Sequence, residues 1–146
     1  MAGTKQDYGD AAGQAPVAPH RFAVRVFYED TDMGGIVYHA NYLKFIERAR
    51  SDWVADLGVD QRAMKERDGV IFAVRRIEGD YLLPAHFDDR LEVHTTTQSV
   101  SGARLVLEQK VTRGKDLLFA ALVTIVCVND AGHPARLPAN IRRQLH

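Results

Sequence analysis

The stretch "FYEDTDMGGIVYHANYLKFIERAR" occupies residues 27–50, and its two halves follow different patterns. From Phe27 to His39 it holds three carboxylates, a Gly-Gly pair and a histidine within thirteen residues. From about Tyr38 to Leu57 the pattern is helical. Tyr42, Phe45, Ile46, Ala49, Trp53 and Leu57 recur at steps of three and four and form one apolar face. Lys44, Glu47, Arg48 and Asp52 fill the opposite side, and Gly58 stands where a C′ glycine would stop the helix. No other segment reads as a long helix. A shorter one is predicted from Asp60, a suitable N-cap, to about Arg67.

Strands are predicted on both sides of this pair. In "RFAVRVFYE" (21–29), Phe22, Val24 and Val26 alternate with Ala23, Arg25 and Phe27. "VIFAVRRIEGDYL" (70–82), "LEVHTTTQSV" (91–100) and "ARLVLEQKVT" (103–112) read the same way. "LLFAALVTIVCVN" (117–129) is almost wholly apolar, as a central strand covered on both faces would be. The turns "SG" (101–102) and "RGKD" (113–116) are short, which favours antiparallel pairing. "PANIRRQL" (138–145) is read as a terminal helical turn. The order β, long helix, then four β gives an α+β class in which about five antiparallel strands wrap one central helix. Sheet edges left open by such a fold call for a partner, so a homo-oligomer is expected.

Nineteen basic and nineteen acidic residues balance to a formal charge of zero, which leaves no electrostatic footprint for nucleic acid or an anionic membrane. The longest apolar run, Leu117 to Val128, is too short to span a bilayer as a helix. Residues 1–19 contain no signal-peptide core and are rich in Ala, Gly and Pro, so a disordered tail is predicted ahead of one domain over 20–146. The single cysteine, Cys127, sits in an apolar run and reads as an inert thiol in a reducing, cytoplasmic setting.

The polar cluster then becomes the candidate site. A carboxylate in a Gly-rich turn just ahead of a helix lies beside unpaired backbone N–H groups, and such groups can hold a developing oxyanion. Gly34 and Gly35 would let a substrate carbonyl approach the backbone. The competing structural reading is that Asp and Thr simply cap the helix. Spacing alone does not decide whether Asp30 or Asp32 is the turn carboxylate, while Glu29 continues the strand and faces solvent. His39 reads as an acid/base group, a ligand binder or a core histidine. A metal site from Asp30, Asp32 and His39 lacks a fourth ligand at recognisable spacing, and no metal or other cofactor is expected.

The segment "VRVFYEDTDMGGIVYHANYLKFIERAR", with "FAVRR" and "RLPANI", resembles the hotdog-fold acyl-CoA thioesterases related to 4-hydroxybenzoyl-CoA thioesterase, and within them a bacterial branch associated with the Tol–Pal envelope system. The likeness spans about Arg21 to Pro138. It implies that Asp32 is the catalytic carboxylate. It implies that the backbone N–H of His39 polarises the thioester carbonyl, with its side chain a further participant, and that Tyr28 assists. Gly34, which flanks the turn, and Gly35, Ile36, Val37 and Tyr38 are then the substrate-binding segment. Homodimers or tetramers with sites at subunit boundaries are also implied. Phe27 stands where a tyrosine is common. Met33 stands where a small residue is common, which would reshape the acyl pocket.

Three functions follow from this reading. The first is hydrolysis of acyl-CoA, with Asp32 either activating water or attacking the carbonyl to give a mixed anhydride. A helix N-terminus favours the charged carboxylate and weakens it as a base. That leans towards direct attack, or towards a base that works by positioning more than by strength, and the sequence does not choose between the routes. The second, hydration of an acyl chain, needs a different acid/histidine arrangement, of which the sequence shows no sign. The third is an adaptor for acyl carrier protein, or a thioesterase acting on it. Arg104, Lys110, Arg113 and Lys115 would then form a basic rim, although solvated hairpin charges are the plainer reading.

Overall fold

β1 (His20–Arg25) lies at one edge of a five-stranded sheet, and β2 (Val70–Tyr81), the next strand in sequence, lies at the other. Between them fall β3 (Arg90–Ser101), β4 (Arg104–Arg113) and β5 (Asp116–Asn129), giving the order β1-β3-β4-β5-β2. Every pairing is antiparallel. The chain must therefore cross one face of the sheet between its first two strands, and the crossing is made by α1 (Asn41–Asp56) and α2 (Gln61–Asp68). α1 lies against β1, β3 and β4, α2 sits on β2, and α3 (Ala139–Leu145) reaches β3. This is the hotdog arrangement, one long helix wrapped by an antiparallel sheet. The computed structural model describes residues 18–145, so the tail predicted over 1–19 lies, apart from Ala18 and Pro19, outside the described residues.

The predicted apolar face of the long helix is the buried one. Tyr42, Phe45, Ile46, Ala49 and Trp53 enter the core with Val54, while Leu57 is half-buried at the C-cap. Phe45 and Ile46 are fully covered, which contributes about 1.5–3 kcal/mol each. They meet Val93, Leu105, Leu107, Val111 and Val123 from the sheet. Gly58 follows the cap with φ +79, and Asp60 caps α2 by accepting from the N–H groups of Arg62 and Ala63.

Inside this apolar layer sits one polar knot. Gln109, fully buried, donates through Nε2 to the Ile46 carbonyl at 2.9 Å and to Thr95 Oγ1 at 3.0 Å. Its Oε1 accepts from Arg50 Nη1 at 3.0 Å. Burial holds the Arg50 guanidinium below its ordinary range, opposed by the nearby Glu47 charge.

Four readings change in detail. The first strand ends at Arg25 and not at Glu29, because Tyr28–Asp30 turn into a 3-10 helix whose Asp30 carboxylate captures the Phe27 N–H at 2.8 Å. Glu29 is exposed, as expected, but lies on that turn. α1 starts three residues later than Tyr38, with Ala40 as its N-cap; Val37 and Tyr38 still belong to the preceding loop, where their amides bond to Ala85 O and Asp30 O. β5 is interior but covered throughout on one face only: Phe119, Ala121, Val123, Ile125 and Cys127 are buried, whereas Leu122, Thr124, Val126 and Val128 are half-buried.

Cys127 is buried, and desolvation raises its thiol pKa, with Asp68 adding to the effect. Among the described residues no helix is long and apolar enough to cross a membrane.

Candidate active site

The turn ahead of α1 is a small two-stranded loop. Thr31 bridges Val37, the Asp32 N–H bonds to Ile36 O at 2.9 Å, and the Tyr38 N–H returns to Asp30 O. Its two aspartates do opposite work. Asp30 is buried and structural: its carboxylate holds the Phe27 N–H, and its carbonyl accepts from both the Tyr38 N–H and Asn41 Nδ2. Asp32 is exposed at the far end of the loop, with Oδ1 accepting the Gly34 N–H at 2.8 Å. Geometry thus separates what spacing left open. Gly34 fits because a Cβ there would lie 3.1 Å from Asp32 Oδ1, and Gly35 is required by its φ of +79.

The capping alternative fails. The N-cap of α1 is Ala40, which makes no side-chain hydrogen bond, and the first turn contains no acidic residue. Asp30 instead closes the separate 3-10 turn, and the Thr31 hydroxyl donates to Tyr28 O. Among the described residues the N–H groups of His39 and Ala40 have no acceptor, while those of Asn41, Tyr42 and Leu43 bond to the carbonyls three residues back. The positive end of a sixteen-residue helix is therefore left open beside the carboxylate loop.

The other expected residues are only partly brought together. His39 is exposed, with its ring 4.5 Å from Tyr38 and 6.2 Å from Tyr81. Tyr28 is 78% exposed and stacks on Phe87, with ring centroids 4.2 Å apart; it makes no hydrogen bond to Asp32 or His39. Ile36 is half-buried, Val37 is buried, and Tyr38 is exposed. Met33, assigned to the acyl pocket, is fully exposed. The best-formed cleft, about 170 Å³ between α1 and β2, is lined by Arg50, Trp53, Phe72 and Val74 and by none of these residues. In a single copy Asp32 and His39 are exposed, and so are the apolar side chains of Met33, Tyr38, Leu82, Leu83 and Phe87.

Tyr81 was not anticipated. It ends β2, and its hydroxyl donates to the His39 carbonyl at 2.9 Å. Tyr42, also unassigned, accepts the Ala85 N–H through its hydroxyl and so ties the β2–β3 connection to α1. Burial raises the pKa of both phenols.

Two alternative chemistries lose support. The His20, Asp52 and Asp56 side chains place ligand atoms within 4.8 Å of one another, but His20 Nδ1 is buried with no partner. A metal-bound histidine ordinarily donates from its second nitrogen. This cluster reads as a clasp, with Nε2 at 2.9 and 3.2 Å from the two carboxylates pinning β1 to α1. Of the four basic-rim residues two are paired within the chain: Arg113 with Asp89 at 2.8 Å and Asp116 at 3.5 Å, and Lys110 with Glu108 at 3.4 Å.

The fold is that of a hotdog protein, with an exposed carboxylate loop leading into the open amides of its long helix. The thioesterase-like superfamily matches residues 26–145, and the chain belongs to that family. It is 40% identical over 127 residues to the acyl-CoA thioesterase YbgC of Haemophilus influenzae, covering 86% of this chain and 93% of that protein. To the acyl-CoA thioester hydrolase YbgC of Escherichia coli it is 44% identical over 124 residues, covering 83% and 91%. A solved probable thioesterase from Bartonella henselae superposes with a TM-score of 0.79 at 39% identity, covering 83% of this chain and all of that one.

Proposed function

We propose that this protein hydrolyses acyl-CoA thioesters to the free acid and CoA, as a homodimer or a tetramer of dimers. The observation that carries the reading is the uncapped N-terminus of α1, with free His39 and Ala40 amides, next to a loop that exposes Asp32. The amides receive the carbonyl oxygen as it gains charge. Asp32 supplies the negative oxygen, either by drawing a proton from water or by attacking the carbonyl carbon. Attack forms a mixed anhydride as the thiolate is expelled, which water then cleaves to the acid and the free carboxylate. In both routes the C–S bond breaks and CoA departs as a thiolate that takes up a proton. Gly34 and Gly35 admit the thioester, with Ile36, Val37 and Tyr38 along the acyl side; the His39 ring and Tyr28 bound the site. The names of the relatives support the acyl-CoA substrate.

The dimer is supported by the free edge of β2. Val74, Ile77 and Tyr81 lie there half exposed on the helix side of the sheet, and Leu82 and Leu83 continue the strip. An unpaired apolar edge beside an open site is what a second copy would cover. The buried thiol and the lack of a membrane-spanning helix among the described residues accord with a cytoplasmic setting. The test is a thiol-release assay with short, long and aromatic acyl-CoAs. Release saturating in at least one of them is expected; release no faster than the enzyme-free blank across the whole panel ends the proposal.

A further inference from the structure

The His39–Ala40 peptide is held from one side only. Its carbonyl accepts the Tyr42 N–H in a 3-10-type bond of the first turn, but that contact is long, at 3.4 Å. The stronger bond comes from outside the helix, where the Tyr81 hydroxyl donates at 2.9 Å. Because a peptide unit is planar and trans, the C=O of His39 and the N–H of Ala40 point in opposite directions. Fixing the oxygen therefore fixes the direction of the open Ala40 N–H. The hydroxyl has a single proton, and it is already given to His39.

The ring that delivers this hydroxyl is itself braced. Tyr81 packs 4.7 Å from the Phe119 ring and edge-on to Tyr42 at 5.5 Å. Phe119 reaches that place because residue 79 has no side chain: a Cβ on Gly79 would lie 2.9 Å from Phe119 Cζ. A glycine on an edge strand thus lets a core aromatic lean across the strand and back the tyrosine two residues on.

We infer that Tyr81 is a positioning residue for the thioesterase reaction, its hydroxyl bond to the His39 carbonyl aiming the Ala40 amide at the thioester oxygen. The inference rests on the hydrolase reading above and adds to that site the group that aligns the second of its two amides. Tyr81 touches the peptide and not the reacting atoms, so its loss should appear in turnover more than in binding.

The test is Tyr81→Phe in the full chain, which removes one oxygen and keeps the ring against Phe119 and Tyr42. Expected is a fall in kcat of about tenfold, the worth of one hydrogen bond, with KM changed less than about twofold and Tm nearly unaltered. In 15N-resolved spectra of the uniformly labelled chain, the Ala40 amide resonance should shift on the substitution. Wild-type turnover together with an equally active Tyr81→Phe overturns the positioning role. So does a loss of activity that tracks a fall in Tm with no change at Ala40. An inactive wild-type chain overturns the hydrolase reading and this inference with it, and is told apart from the first two results by the wild-type assay alone.

Discussion

Exchanging the side chains of the two aspartates two residues apart should separate chemistry from architecture. Asp32→Asn keeps the shape and still offers Oδ1 to the Gly34 N–H, so the turn remains closed. Only charge is lost. At an exposed position, turning a charge-assisted bond into a neutral one costs about 0.5–1 kcal/mol, or a fall in Tm of about 2–3 °C. Turnover should drop far more, by about 10²- to 10⁴-fold, whether the carboxylate serves as base or as nucleophile. Asp30→Ala does the reverse. It strips the Phe27 N–H of its partner in a part-buried setting, at about 1–3 kcal/mol and a fall in Tm of about 3–10 °C. The Asp30 backbone carbonyl still anchors Tyr38 and Asn41. The less stable variant should therefore be the more active one. Thiol release from an acyl-CoA, measured beside a thermal melt on the same samples, reads both. Asp32→Asn within about threefold of wild-type activity, or activity ranking the same way as Tm in the two variants, refutes the assignment.

Three further outcomes follow from the geometry. Gln109→Leu removes the bonds to Ile46 O, Thr95 and Arg50 at once and should cost about 2–4 kcal/mol in urea unfolding; a loss below about 0.5 kcal/mol means the knot is not structural. Ile77→Lys places a charge on the free edge of β2 and should give a monomer by light scattering with little activity; a fully active dimer sinks pairing through that edge. For Asp89, burial pushes the carboxyl up, but the His86 N–H and Arg113 outweigh it and hold the pKa below the ordinary carboxylate value. A depressed carboxyl stabilises the fold above its ordinary pKa and loses that effect as pH falls through the lower folded value. Asp89→Asn should melt earlier than wild type near pH 7, with the gap closing below about pH 4; a gap constant with pH counts against it.

The helix could be read from the sequence because its stripe, stop glycine and cap are local: Tyr42 to Trp53, Gly58 and Asp60 each act within a turn or two of themselves. The limits of β2 to β5 are legible for the same reason. What escaped notice depends on partners remote in sequence. Nothing near Asp30 reveals that its carboxylate turns back on Phe27 while its carbonyl holds Asn41, so strand and turn were merged. Tyr81 and His39 are 42 positions apart, and only the fold brings them together. The register shift between Val74 and Arg76 also leaves no signature in the alternation, yet it sets which side of β2 carries Ile77 and Tyr81. One local hint existed: a glycine in a strand often marks a close approach, and Gly79 does so two residues before the tyrosine.

The separation between groups and environment carries a consequence for where activity resides. A carboxylate and open amides on a wet surface act weakly, since water screens them; the same groups gain several-fold in strength once water is excluded. The single chain supplies the groups but not the exclusion. Asp32 is exposed, the two clefts beside α1 are lined by other residues, and Met33, Tyr38, Leu82, Leu83 and Phe87 lie open. On the proposed reading, covering those side chains, by a second copy on one side and an acyl chain on the other, would dry the site and strengthen the amides in one event. Folding and activity are then separable in a definite direction. The core of α1 against β3 and β4 is complete within one copy, so a monomeric Ile77→Lys should keep most of its stability while losing turnover. A variant that unfolds as it dissociates would show instead that the edge strip belongs to the folding core.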